Sequence, residues 1–332
     1  MSIRSAHPMV FHAPRSGTPR GVAVFTGQGA QKAGMGKDVV EATPVARAVI
    51  AEASEALSLD LPALIFGADP RLSLTEYAQP AILAVEIALF AAAAEQGYAP
   101  AWFGGHSLGE YTALVAAGVI PLAQAVVLVR ERGRRMQLAV PSGRGAMAAI
   151  IGESLDVEAI LALTAGLAVD LANHNGPDQL VLSGDAADLD VALERLAAAP
   201  AGQAARARKL DVSAPFHSRL MAPIEADFQA LLTEASASWT LDRAPRVACN
   251  VTGGFHSDDR AELVRRLVAQ ISGTVRWVDN MRALAATGEP VHEFGPNRVL
   301  RAFFRSVEVD CETVMNLVSL RRAFPAPSAL EP

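Results

Sequence analysis

A serine held between two glycines is the first feature of this chain with chemical meaning. Gly105-His106-Ser107-Leu108-Gly109 follows a short apolar run, Ala99 to Gly104, and precedes a helix-forming segment, Tyr111 to Val119. G-x-S-x-G at a strand-to-helix junction is the pattern of a nucleophile elbow, a turn so tight that the hydroxyl stands out at the sheet edge. The helix that follows would aim free N–H groups and its positive dipole end at the same point, where they stabilise negative charge. Alone the pattern is weak; the strand before it and the helix after it strengthen it.

A serine hydroxyl needs a base. The chain has seven histidines. His7 and His12 lie near the start of the chain, and His106 adjoins the serine, where a tight turn would send its ring elsewhere to pack beneath the elbow. His217, in Ser213-Ala214-Pro215-Phe216-His217-Ser218, is the better candidate, because loops at strand ends are where α/β folds place reactive groups. A loop histidine without a role is the alternative. Gly27-Gln28-Gly29 ends the first strand, and glycines there let backbone N–H groups approach a ligand. The N–H of Gln28 with that of Leu108 would make an oxyanion hole. A phosphate loop fits less well, since the lysine and Ser/Thr of a P-loop are missing, and an ordinary turn stays open. Arg132 falls among Ala125, Leu128, Val129 and Met136 on one helical face. A guanidinium in an apolar stripe costs energy unless it snorkels, pairs with a carboxylate, or grips a substrate anion in a bidentate fork.

The elements that must position these groups follow from the pattern. A strand at Val22–Phe25 leads into helices at about 44–57 and 79–96, then the elbow strand, then a helix at about 122–140. Alternation of this kind argues for an α/β fold with parallel strands. From about Gly143 the pattern becomes βαββαβ: strands near 146–151, 167–172, 180–183 and 207–212, with helices near 155–165 and 188–199. A unit of this size and order is read as a ferredoxin-like small subdomain, residues 143–212, inserted into a large domain made of 21–142 and 213–322. Residues 1–20 carry Arg4, Arg15 and Arg20, no acidic residue and three prolines. They read as a disordered leader, with a faint likeness to a transit peptide. Residues 323–332 read as a loose tail.

Composition bounds the partners. The 332 residues are 51% hydrophobic, with net charge −6 and a pI near 5.7, so nucleic acid is not an expected partner. Cys249 and Cys311 lack metal-ligand or disulfide spacing; no metal is expected, and a reducing cytoplasm fits. No run reads as long and apolar enough to cross a membrane.

Taken in order, the motifs resemble the malonyl-CoA:acyl carrier protein transacylase family, which includes the acyltransferases of fatty acid and polyketide synthases. They are Phe25-Thr26-Gly27-Gln28-Gly29-Ala30-Gln31; Gln79-Pro80-Ala81; Gly105 to Tyr111; Arg132-Gly133 with Met136-Gln137; Gly145-Ala146-Met147-Ala148; Asn173-His174-Asn175 with Gln179; Phe216-His217-Ser218; and Phe294-Gly295-Pro296. The resemblance implies an α/β-hydrolase-like large domain and a ferredoxin-like small subdomain with the site between them. It implies Ser107 as acylated nucleophile, and His217 as base and then acid. A backbone carbonyl near Arg276 would orient the imidazole in place of a triad carboxylate. Gln28 and Leu108 would form the oxyanion hole, and Arg132 would hold the malonyl carboxylate. Gln79, His106, Asn173 and Phe216 would border the substrate.

Malonyl-CoA and the phosphopantetheine of an acyl carrier protein would be substrates, with no bound cofactor; a cytoplasmic monomer is expected. Thr26 stands where many members have proline. Phe216 precedes the histidine as in polyketide acyltransferases that select malonyl over α-methylated units. A discrete enzyme serving polyketide synthesis in trans is the leading expectation, with housekeeping fatty acid synthesis as the alternative. A carrier-protein acyl hydrolase, a non-catalytic scaffold and a malonate decarboxylase transacylase are the rivals.

Overall fold

A computed structural model of the chain describes residues 20–199, 205–212 and 214–325. Its fold is mixed α/β, built on two four-stranded sheets. The first runs in the order β2-β1-β7-β8, where β1 is Val22–Phe25, β2 Trp102–Gly105, β7 Val291–Phe294 and β8 Cys311–Val314. All its pairings are parallel, with Phe25 level with Gly105 on one side and Phe294 on the other. Every residue of β1 is buried, which its unbroken apolar run requires of a central strand covered on both faces.

The second sheet is antiparallel, in the order β4-β5-β3-β6: β3 is Gly145–Gly152, β4 Val169–Gly176, β5 Gln179–Asp185 and β6 Ala205–Lys209. Helices Val157–Ala162 and Ala186–Ala198 complete the βαββαβ succession. The strand expected at 207–212 ends at Lys209 instead, where the chain turns off with only Leu210 N–H still reaching Met147 O. A register shift after Leu171 lets β4 leave its own sheet's spacing, and Asn173 bridges in parallel to Val275 beneath the first sheet. That bridge joins the two halves of the fold.

The core helix is Thr75–Glu95. It starts four residues before the expected Gln79, so Pro80 sits inside it; the ring removes one donor, and burial of nearly the whole helix outweighs that loss. Its 21 residues, with a mean hydropathy of 1.6 over the most apolar 18-residue window, also correct the expectation that no run is long and apolar enough for a membrane. Within this structure 89% of its most apolar window is buried against other elements. Helix Leu122–Leu138 crosses it so closely that a Cβ on Gly133 would lie 2.5 Å from the Thr75 carbonyl oxygen. That contact brings Arg132 to the start of the core helix.

Both expected termini need correction at their inner edges; residues 1–19 and 326–332 lie outside the described part. Arg20 N–H bonds to Ala99 O at 2.9 Å. Ala323 ends helix Leu317–Ala323, and the Phe324 ring packs at a tilt against Tyr98, centroids 4.5 Å apart, and lies parallel to Phe294 at 6.3 Å. The Phe324 ring finds other rings to cover, which its proline-rich surroundings did not suggest.

Candidate active site

Strand β2 delivers the chain to Ser107 with φ 53° and ψ −100°, and helix Leu108–Ala116 starts at the next residue. Positive φ is strained for a residue with a side chain, and the two flanking glycines make it possible. A Cβ on Gly105 would lie 1.9 Å from Gly109 O, and one on Gly109 would lie 2.2 Å from Phe25 O. The elbow is pinned from a third direction: Ser107 N–H donates to Asn250 Oδ1 at 2.7 Å, while Asn250 Nδ2 donates to Gly105 O at 2.8 Å.

His217 also sits at positive φ, 57°. Its Nε2 lies 2.8 Å from Ser107 Oγ, and its Nδ1 lies 2.7 Å from the backbone oxygen of Gln270. A carbonyl only accepts, so Nδ1 carries the proton and Nε2 offers its lone pair to the serine hydroxyl. The carbonyl expected near Arg276 is therefore corrected to that of Gln270. Arg276 caps helix Trp277–Ala285 and its oxygen accepts Asn280 N–H at 3.1 Å. Gln270 instead ends helix Arg260–Ala269, where a carbonyl has no later helical N–H to meet. Burial, then the nearby Arg132 cation, pulls the imidazole down from its usual value to about 3, so His217 is neutral at physiological pH.

Arg132 is 1% exposed. One terminal nitrogen, Nη1, donates to Gln79 Oε1 at 3.0 Å. The other, Nη2, lies 3.1 Å from Ser107 Oγ and 2.8 Å from Gln270 Oε1. Its carbon lies 5.5 Å from the Tyr111 ring centroid, a cation–π distance. Among the described residues no carboxylate pairs with this guanidinium, and its Nε has no partner. The open alternatives for Arg132 thus narrow: it neither reaches solvent nor meets an acidic side chain, and it faces the serine.

The remaining expected residues fall into two groups. Gln79 is fully buried beside Arg132, and its Nε2 donates to Gln28 Oε1 at 3.3 Å. Gln28 and Leu108 flank the serine from two segments, and among the described residues no group accepts from either backbone N–H. These gather at Ser107. His106 turns away: its Nε2 bonds Asn175 Oδ1 at 2.8 Å and its ring meets Trp277 edge-on at 5.7 Å. Asn173 is buried at the seam with Val275. Phe216, 8% exposed, is mostly absorbed into the large core cluster next to His217.

Sequence reading missed Gln270, which touches nearly everything here. Its carbonyl holds His217, its Oε1 accepts from Arg132, and its Nε2 donates to Ser107 O at 3.0 Å and to the Glu110 carboxylate. Glu110 in turn accepts from His256 Nε2 at 2.7 Å, and Cys249 adjoins that buried pair. The signal was present: Gln270 interrupts Leu267-Val268-Ala269 and Ile271 as Arg132 interrupts its own stripe. Asn250, beside Cys249, gave no such signal.

The acyl transferase domain family matches residues 22–292. The chain is 39% identical over 298 residues to the malonyl CoA-acyl carrier protein transacylase of Bacillus subtilis strain 168, covering 88% of this chain and 91% of that one. Identity to the Escherichia coli K12 protein of the same name is 39% over 291 residues, covering 86% and 91%. Among solved structures, malonyl-CoA:acyl carrier protein transacylase from Xanthomonas oryzae pv. oryzae superposes with a TM-score of 0.86 at 38% identity, covering 93% and 98%. PlMCAT, solved with the type II polyketide carrier protein AntF as its malonyl-transacylase, gives 0.85 at 35%, covering 92% and 99%. With a half-buried serine on a strained elbow, a buried histidine in hydrogen-bond reach of it, and relatives matched over nearly their whole length, this chain belongs to the malonyl-CoA:acyl carrier protein transacylase family.

Proposed function

We propose that the protein moves a malonyl group from malonyl-CoA to the phosphopantetheine thiol of an acyl carrier protein through an acyl-Ser107 intermediate. The observation that carries this reading is a single oxygen, Ser107 Oγ, within 2.8 Å of a neutral imidazole nitrogen and 3.1 Å of a buried guanidinium. His217 Nε2 takes the hydroxyl proton as Oγ attacks the thioester carbon. Negative charge on the carbonyl oxygen is met by the Gln28 and Leu108 N–H groups. The tetrahedral species collapses, the C–S bond breaks, and the imidazolium returns its proton to the CoA sulfur. The carrier thiol then gives its proton to His217 and attacks the malonyl ester, and Ser107 Oγ leaves with that proton. Both half-reactions are nucleophilic acyl transfer through one covalent intermediate.

Arg132 binds the malonyl carboxylate in a two-point contact. Its present partners, the amide oxygens of Gln79 and Gln270, are neutral, so an arriving carboxylate supplies the charge this buried cation lacks. This favours a transferase over a carrier-protein hydrolase, which has no need to grip a carboxylate. Phe216 beside His217 crowds an α-substituent, and Gln79 bounds the pocket beside Arg132; His106 and Asn173, turned into the fold, support the elbow from behind. We infer a polyketide carrier as partner from Phe216 and from the likeness to PlMCAT with AntF.

The finer architecture belongs to the same proposal. Strand order β4-β5-β3-β6 in a βαββαβ chain supports reading 143–212 as a ferredoxin-like subdomain. The parallel sheet with its elbow supports an α/β-hydrolase-like large domain formed by 21–142 and 213–322. Free, buried cysteines suit a cytoplasmic enzyme, which we take to be a monomer without a bound cofactor.

The test is a two-product assay with malonyl-CoA and holo-carrier protein. Loaded carrier and free CoA in equal amounts are expected. CoA release without loaded carrier would instead indicate the hydrolase. Polyketide and fatty acid carriers run side by side separate the two pathways by their kcat/KM.

A further inference from the structure

Glu86 is a carboxyl that the proposed chemistry does not use. It sits on the core helix and is 0% exposed, as are the two residues that bond to it. Its Oε1 accepts from Thr26 N–H at 2.7 Å and from Thr26 Oγ1 at 2.5 Å, and its Oε2 meets Thr112 Oγ1 at 2.8 Å. A carboxyl in a dry core is costly unless its partners are in place. Burial pushes this one well above the usual carboxyl range.

Its partners lie on the two segments that flank the nucleophile. Thr26 immediately precedes Gly27-Gln28, and Thr112 is on the helix whose first residue is Leu108. Thr26 has no room to move aside. A Cβ on Gly109 would lie 2.6 Å from Thr26 O, and one on Gly295 would lie 2.5 Å from Thr26 Cγ2. Elbow, first loop and the Phe294-Gly295-Pro296 turn therefore close around one threonine, and Glu86 holds it from the fourth side.

From this geometry we infer that Glu86 is a positioning residue for the oxyanion hole: through Thr26 and Thr112 it fixes the separation of the Gln28 and Leu108 N–H groups. The inference rests on the oxyanion-hole assignment made above.

The experiment is single-turnover acylation by malonyl-CoA in the full-length wild type, Glu86→Leu, Glu86→Gln, Thr26→Val, Gln28→Pro and Gln28→Ala. Binding of malonyl-CoA is measured separately in Ser107→Ala and Ser107→Ala/Glu86→Leu. Removing one oxyanion donor costs about 10²–10³ in rate, so displacing one by Glu86→Leu is expected to slow acylation about 10–100-fold. Malonyl-CoA affinity should stay within about threefold. Glu86→Gln, which keeps one acceptor and the shape, should retain most of the rate, and Thr26→Val should fall between. Thr26→Val carries the test if Glu86→Leu does not fold.

A folded Glu86→Leu that acylates at the wild-type rate would overturn the inference. So would a loss that appears only in affinity, or one that merely follows the fraction of folded protein. If Gln28→Pro is as fast as Gln28→Ala, or the wild type forms no adduct, the oxyanion reading itself has failed. A slow Gln28→Pro beside a fast Glu86→Leu defeats the positioning role alone.

Discussion

At the scale of single residues, Arg132 and His217 act on each other. The guanidinium is buried without a carboxylate, and it helps hold the imidazole neutral. Charge-assisted hydrogen bonds contribute about 1.5–3 kcal/mol each, so Arg132→Ala should cut kcat/KM for malonyl-CoA at least about a hundredfold while acetyl-CoA changes far less. Unchanged discrimination between the two donors would remove the clamp. The pH dependence has a definite sign. Catalysis needs neutral His217, and its folded value is depressed from about 6.5 to about 3. Acylation should therefore show no acid limb between pH 5 and 7, in a pH profile of kcat/KM. Removing the cation lets the imidazole rise, so Arg132→Ala should move any limb toward higher pH; a wild-type limb at 6.5 would contradict the assignment.

At the scale of elements, the site depends on close approaches that only glycine allows. Gly133 presses against the Thr75 carbonyl and thereby sets where Arg132 meets Gln79. Gly133→Ala should part the two helices, with an overpacking cost of about 1–3 kcal/mol. A lowered melting temperature together with a raised KM for malonyl-CoA is expected; a normal KM would uncouple helix packing from carboxylate binding. The sequence made much of this scale legible. The strands near Val22, Gly145 and Gln179 and the helix from Pro44 announced themselves by period and by turn residues, and the elbow by its glycines. What stayed hidden were partners distant in sequence. Nothing near Gln270 says that it meets Ser107, Arg132 and His217, because those contacts exist only after the fold has closed. Helix edges failed for a similar reason: tertiary burial carried the core helix through Pro80, against local propensity.

At the scale of the whole molecule, the Asn173–Val275 bridge joins β4 to the segment before helix Trp277–Ala285, and the His106–Asn175 bond ties the elbow to β4. The residue beside the serine thus links the elbow to the antiparallel sheet, while the serine's own partners, Asn250, His217, Arg132 and Gln270, lie outside that sheet. Phe324, just past helix Leu317–Ala323, is part of the same body. Phe324 closes a ring cluster with Tyr98, His292 and Phe294, the last of these in the strand beside β1. Aromatic pairs add about 0.5–1.5 kcal/mol beyond area, so Phe324→Ala should lower stability by about 1–2 kcal/mol in a denaturant titration and leave the acylation rate intact. An unchanged midpoint would show that the Phe324 ring contacts contribute nothing to stability.

The most direct test of the covalent account is intact-protein mass spectrometry after brief incubation with malonyl-, methylmalonyl- and acetyl-CoA. A malonyl adduct on the wild type is predicted, absent from Ser107→Ala and weak with the other two donors. An adduct that persists in Ser107→Ala, or wild-type protein that carries none, would contradict it.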